Sequence, residues 1–136
     1  MIPMVQLTEE MKEMLGKQLA FIATVDEDGN PNVGPKGTLR VLDDSHLIYN
    51  EMTGRQARHN ILDNGRISVG VASKKTYKGF RFVGTATYYD EGAYFDQSVA
   101  FAESIHLEKP FGAVVIEIKK IQLLDATEHA GETIQE

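Results

Sequence analysis

Apolar residues recur along this chain in two periods. Segments that repeat every second residue alternate with segments that repeat every third or fourth, and polar turns separate them. Thr8 is placed to cap a helix running to about Leu15, with Glu9 and Glu10 in its first turn. Leu19 to Val25 (LAFIATV) reads as a strand, ended by the reversal signal Asp26-Glu27-Asp28-Gly29-Asn30. A return strand is expected from about Asn32 to Val41. A short strand, His46 to Asn50, follows the turn Asp43-Asp44-Ser45. These three segments predict an antiparallel meander.

The next segment, Thr53 to Gly65, predicts a helix with Thr53 at its start and Asn64-Gly65 as its left-handed stop. Arg66 to Ala72 and Phe80 to Tyr88 alternate with period two, and a basic loop, Ser73 to Gly79, joins them. Phe95, Val99, Ala102 and Ile105 lie on one helical face within Gly92 to Leu107. Val114, Ile116 and Ile118 mark a last strand. After Lys119-Lys120 the phase shifts to Ile121 and Leu123, which predicts a bulge. The tail over 126–136 is polar and is expected to be loose.

Six strands joined mostly by short turns predict a mainly β fold, a closed or nearly closed antiparallel barrel with two or three short helices on its flank. A chain of 136 residues fits one domain, here 1–136 with a core over about 17–124. No repeat, linker or low-complexity stretch divides it.

Composition narrows the chemistry. There is no cysteine, so a disulfide framework, a thiolate metal site and a cysteine nucleophile are excluded. Met1 to Gln6 shows no basic start and no apolar signal core, and no apolar run reaches the ~18 residues of a membrane span. The expectation is a cytoplasmic protein with no membrane partner. A formal net charge of −6 argues against nucleic acid as a partner, because that work needs a basic face. The motifs G-x-S-x-G and H-E-x-x-H are missing, and the four histidines share no ligand spacing.

Two elements could hold an anion. Lys36, Thr38 and Arg40 are two residues apart on the expected strand from Asn32, and so would project from one face. On the other face Gly37 would let a group approach the backbone. The second element is the strand-to-helix turn Asn50-Glu51-Met52-Thr53-Gly54-Arg55-Gln56. A helix start offers unpaired N–H groups and a positive dipole end, and an arginine fork suits phosphate. Spacing alone leaves a plain cap and a solvated face as alternatives.

The run Asp26 to Asp44, then Tyr49-Asn-Glu-Met-Thr-Gly-Arg-Gln-Ala-Arg-His-Asn-Ile and Arg66-Ile-Ser-Val, resembles the pyridoxamine 5′-phosphate oxidase-like family of FMN-binding split barrels. The resemblance covers roughly Lys17 to Leu124. It implies a six-stranded Greek-key split barrel that pairs as a homodimer with FMN at the subunit interface. It further implies that Lys36, Gly37, Thr38 and Leu39 run along the flavin and ribityl edge, with Asn50 and Glu51 at the end of the next strand. Thr53, Gly54, Arg55 and Gln56 would surround the phosphate, and Gly79, beside Lys78, would approach the ring. Tyr77, Phe80 and Phe111 are candidates to cover that ring.

Two departures stand out. Arg55-Gln56 replaces the Arg-Lys pair of the vitamin B6 oxidase, and the basic, histidine-bearing C-terminal extension of that enzyme is missing. Pyridoxamine phosphate is therefore not the expected substrate. The function implied is a small FMN-dependent oxidoreductase acting on a small-molecule electron donor or acceptor. A flavin-binding electron carrier or storage protein is the alternative. Haem is a third reading, with His59 or His106 as its axial ligand.

Overall fold

A computed structural model describes residues 5–136, and the N-terminal reading on Met1 to Met4 lies outside them. Helix α1 (Glu9–Lys17) starts where expected: the Thr8 hydroxyl accepts from the Met11 amide at 3.3 Å. It runs one half-turn beyond Leu15 and buries Met11 and Leu15 against the sheet.

Strands β1 (Ala20–Val25) and β2 (Pro31–Lys36) form a hairpin around Asp26. The Asp26 carboxylate accepts from the amides of Asp28 and Asn30 at 2.9 and 2.8 Å, the local bonding that makes aspartate a turn former. The expected strand from Asn32 to Val41 is two strands. It breaks at Gly37-Thr38-Leu39, where the Leu39 amide donates to the Lys36 carbonyl at 3.1 Å. Beyond the break, β3 (Arg40–Asp43) pairs with β4 (His46–Glu51) and not with β1. Thr38 drives the change. Its buried hydroxyl accepts from the Asn50 amide at 3.0 Å and donates to the Asn50 carbonyl at 3.3 Å, which draws the chain toward the end of β4. Instead of a meander there are two hairpins, at opposite ends of the sheet.

Helix α2 (Gln56–Asp63) ends at Asn64, and Gly65 takes the expected left-handed conformation with φ +69°. Strands β5 (Arg66–Ser73) and β6 (Lys78–Tyr89) bury Ile67, Val69, Val71, Phe80 and Phe82 on alternate positions. Helix α3 (Ala93–Ser104) buries Ser98 and Ala102. Ile105, expected on that face, is exposed because the helix stops at Ser104 and Ile105 is its C-cap.

Strand β7 (Gly112–Leu123) carries the expected bulge: Lys120 pairs with Val83 and Ile118 with Gly84, leaving Lys119 unmatched. The Glu117 carbonyl presses against Gly84 there, in space a side chain would fill. The tail is not loose. Residues Thr133–Gln135 form β8 on β7, and Gln135 exchanges two 2.8 Å hydrogen bonds with the Gln6 backbone.

All pairings are antiparallel, in the order β2-β1-β5-β6-β7-β4-β3 with β8 added to β7. The result is the expected mainly β split barrel, with three helices among the described residues. The described residues form eight strands rather than six, because one expected strand is two and the tail supplies another. Among the described residues, no helix is long and apolar enough to cross a membrane.

Candidate functional site

The barrel brings the start of α2 against the inward face of β2. Asn32, Gly34 and Lys36 alternate on that face, and with Thr53, Arg55, Gln56 and Ala57 they line a pocket of about 200 Å³. Four of the eleven expected site residues thus share one cavity. Asn32 and Gly34 escaped the sequence reading, although their two-residue spacing from Lys36 was the signal that could have found them.

The turn into α2 differs from expectation. Thr53 is not the helix cap: α2 begins at Gln56, its cap residue is Arg55, and no side chain caps its first amides. A buried carboxylate recruits Thr53 instead. Glu51 Oε2 accepts from the Thr53 amide at 3.1 Å, the Thr53 hydroxyl at 3.3 Å and the Gly54 amide at 3.3 Å. Gly54 follows with φ +64°, and a Cβ there would lie 3.3 Å from Arg58 Nη1. Arg55 is exposed and has no carboxylate partner among the described residues. Gln56 is fixed: its Nε2 donates to Asn60 Oδ1 at 2.7 Å, and Asn60 Nδ2 donates to Thr24 Oγ1 at 2.9 Å.

Lys36 also borders a second, larger space. A cleft of about 570 Å³ lies between α1, the β2–β3 turn and α3, with Gly37, Leu39, Arg40 and Phe101 on its walls. Lys36, Thr38 and Arg40 do not project from one strand face as expected, because the chain turns between them. Lys36 ends β2, Thr38 is buried in the turn and Arg40 opens β3. The Arg40 guanidinium stacks 3.7 Å from the Phe101 ring centre, and its Nη1 donates to the Thr38 carbonyl at 2.8 Å and to Asn50 Oδ1 at 3.3 Å. Phe101 was not anticipated, since it lies off the apolar face read for α3.

The remaining expected residues sit around these spaces. Asn50 and Glu51 are fully buried, so here they hold other groups in place. Asn50 Nδ2 donates to the Ser98 carbonyl at 2.9 Å, which ties α3 to β4. Gly79 lines neither space. Its amide donates to Asp125 Oδ1 at 3.1 Å, its carbonyl accepts from the Leu124 amide at 2.8 Å, and a Cβ would come within 2.9 Å of the Val71 carbonyl. Of the three ring-cover candidates, Phe80 is core, whereas Tyr77 and Phe111 are exposed, Phe111 beside Gly54. His59 is exposed and pairs with Glu27 at 3.3 Å, and neither it nor His106 lines either space.

Burial sets the electrostatics. Tyr49 sits beside Glu51 under the site, and burial first, then that carboxylate, pushes its hydroxyl well above the ordinary tyrosine range. Burial lowers Arg40 to about 10. The donors toward the small pocket are the Arg55 fork and the uncapped first turn of α2, joined by the Lys36 ammonium, which Glu51 at 3.7 Å already draws on. Such a set fits a phosphate monoester.

These features match known proteins. A family model for pyridoxamine 5′-phosphate oxidase matches residues 7–125. An uncharacterized protein of Methanocaldococcus jannaschii is 36% identical over 134 residues, which cover 96% of this chain and 89% of that protein. The crystal structure of HupZ from Group A Streptococcus superposes with a TM-score of 0.85 at 41% identity, covering 92% of this chain and 99% of that one. An FMN-binding protein of Syntrophomonas wolfei shares the fold, with a TM-score of 0.73 at 17% identity over 86% of this chain and 85% of that one. On the family match and the archaeal relative, this chain belongs to the pyridoxamine 5′-phosphate oxidase family.

Proposed function

We propose that this protein binds FMN and works as a small FMN-dependent oxidoreductase. The observation that carries the reading is the convergence of Lys36, Thr53, Arg55 and Gln56 on one pocket at the uncapped start of α2. They come from three separate elements and supply the donors a phosphate monoester needs. Bound FMN would supply the hydride or electron transfer, while the chain supplies binding, orientation and electrostatics. Lys36, Gly37 and Leu39 would follow the flavin away from its phosphate, since Lys36 borders both spaces. Thr38, Asn50 and Glu51 would act from beneath, by holding the turn and Arg40. Gly79 would serve the ring only by letting β6 close tightly on β5.

The pocket is shallow, and a second subunit would complete it. Apolar side chains stand exposed nearby: Val33 on the outer face of β2 is 70% exposed and Phe111 beside Gly54 is 55% exposed. A homodimer covering this region is part of the proposal. Titration of the flavin-free protein with FMN and with riboflavin, followed by flavin fluorescence, tests it. FMN should bind well over tenfold tighter, because only FMN brings the phosphate. Sedimentation should give about twice the 15.1 kDa chain mass. Equal affinity for the two flavins would sink the reading.

A further inference from the structure

We infer that α3 is a hinged lid on the cleft beside α1 and the β2–β3 turn, latched by Arg40 on Phe101 and by Asn50 on Ser98, and that it releases as one unit while the barrel stays folded. The release rests on α3 and its latch alone; only its role, admitting the flavin, rests on the function proposed above.

Packing makes the first argument. Of its twelve residues α3 buries Ser98 and Ala102, so one methyl group is the apolar side chain it seals inside. Phe95, Val99 and Phe101 stay half-buried. The sheet face beneath has its own small cluster, Ile48, Ala113 and Val115 with Leu42 and Tyr89, separate from the barrel core. Ile48 and Asn50 lie on one face of β4, and Asn50 holds the helix through the Ser98 carbonyl. Lifting α3 therefore disturbs a satellite cluster and leaves the core of the barrel in place.

The latch makes the second. Its grips are the Arg40 guanidinium, 3.7 Å from the Phe101 ring centre, and Asn50 Nδ2, which donates to the Ser98 carbonyl at 2.9 Å. The same seam encloses two polar atoms with no hydrogen-bond partner among the described residues, Arg40 Nη2 and Ser98 Oγ. A buried polar atom without a partner is unfavourable, and release of the helix returns both to water. The shut state carries a penalty that the open state lacks.

Backbone geometry makes the third. The chain is exposed over 90–94 and again over 103–109, on either side of the half-buried middle of the helix. Gly92 enters the helix at φ +90° and His106 leaves it at φ +60°, and both lie at the element ends where hinges absorb a change of direction. The rings of Tyr89 and Tyr94, 5.1 Å apart, tie the helix start to β6 and place the pivot there. Phe101, toward the other end, is a wall of the cleft.

Backbone hydrogen exchange of the full chain, without flavin, tests the release. A helix of this length is marginal on its own, so the α3 amides should exchange together once it lifts, roughly tenfold or more faster than those of β5 and β6. Phe101→Leu should speed α3 exchange several-fold and leave β5 and β6 unchanged. The decisive variant tightens the latch instead: Ser98→Ala combined with Ala100→Ser. It moves one hydroxyl from the buried seam to an exposed position of the same helix, so helix propensity cancels, and the backbone carbonyl at 98 still accepts from Asn50. Exchange of α3 should slow by roughly five- to tenfold. FMN association, followed by flavin fluorescence, should speed up in Phe101→Leu and slow down in the double variant. Wild-type α3 exchange at the rate of β5 and β6, equal acceleration of all three in Phe101→Leu, or unchanged or faster α3 exchange in the double variant would each overturn the lid. FMN association that ignores both variants while α3 exchange responds would overturn its role at the cleft. Failure of the wild type to bind FMN, with the exchange pattern intact, would strike only the function proposed above.

Discussion

The Lys36 ammonium lies 3.7 Å from Glu51 Oε2, the same oxygen that collects the amides of Thr53 and Gly54. Glu51 is wholly buried, and the Lys36 side chain is only 15% exposed. One internal carboxylate thus organises both the end of β2 and the turn into α2, the two elements that frame the small pocket.

Glu51→Gln keeps the shape of the side chain and removes its charge. Each charge-assisted hydrogen bond is worth roughly 1.5–3 kcal/mol against about 1 for a neutral one, so a loss of about 1–3 kcal/mol is expected in urea unfolding. Adding Lys36→Met should recover part of it, because the lysine is otherwise left without its partner. Strictly additive losses would show that the 3.7 Å pair carries no coupling.

Asn60 is the support for Gln56. It is fully buried, receives the Gln56 amide at 2.7 Å and donates to Thr24 at 2.9 Å. Asn60→Ala should therefore cost about 1–3 kcal/mol, because it strands the Thr24 and Gln56 groups. It should also weaken FMN binding by an amount close to that of Gln56→Ala, since both free the same side chain. If FMN affinity is untouched in Asn60→Ala but reduced in Gln56→Ala, the glutamine does not need its anchor.

Much of this molecule is legible in the sequence, and the parts that are not have a physical pattern. Local signals held: the Thr8 cap, the Asp26 turn, the Gly65 stop, the alternation of β5 and the bulge at Lys119 each depend on neighbours in the chain. The misread segments are those where one specific side-chain contact, in two of three cases to a group far along the chain, overrides local preference. Thr38 breaks an apparent strand because Asn50, twelve residues on, takes both lone pair and proton of its hydroxyl. Thr53 looks like a cap, but the nearby Glu51 carboxylate, fixed at a strand end, outbids the helix for it. The polar tail is ordered by Gln6, 129 positions away. Arg55 and Gln56 could be placed at a strand-to-helix turn because the residue pattern there marks one; the contact of Phe101 with Arg40 could not be foreseen, because nothing in α3 reveals it.

Acid should loosen the first hairpin in a way that Asp26 reports. Hydrogen bonds from the Asn30 backbone and then its side chain hold the Asp26 carboxyl below its ordinary value of 3.8. A carboxyl with a lowered folded-state value stabilises the fold above its unfolded value, and that contribution is lost as pH falls through the folded one. Asp26→Asn keeps an acceptor for the turn amides but cannot titrate. The gap in melting temperature between wild type and Asp26→Asn should be widest above the ordinary carboxyl value of 3.8 and should narrow as pH falls below it. Glu13, Asp43 and Glu117 are lowered as well, so the wild type will still lose stability in acid; only the gap is diagnostic. A gap independent of pH would mean the charge of Asp26 does nothing for the turn.

Arg55 makes the sharpest prediction for the proposed cofactor. It is exposed at the uncapped start of α2, borders the small pocket and has no carboxylate to hold it elsewhere among the described residues. A phosphate monoester carries close to two negative charges, and a net charge of −6 on the protein repels it. Local cations must supply the attraction, yet Glu51 already draws on Lys36, and Gln56 brings no charge. Loss of one charge-assisted hydrogen bond costs roughly 1.5–3 kcal/mol, so Arg55→Ala should weaken FMN binding by on the order of ten- to a hundredfold. Riboflavin, which lacks the phosphate, should lose much less. Arg55→Lys should rescue only partly, because an ammonium is a point charge without the planar fork. The measurement is a titration of the flavin-free protein with both flavins, wild type against each variant. Equal losses for FMN and riboflavin would assign Arg55 to the fold rather than the ligand, and no loss for either would remove it from the site.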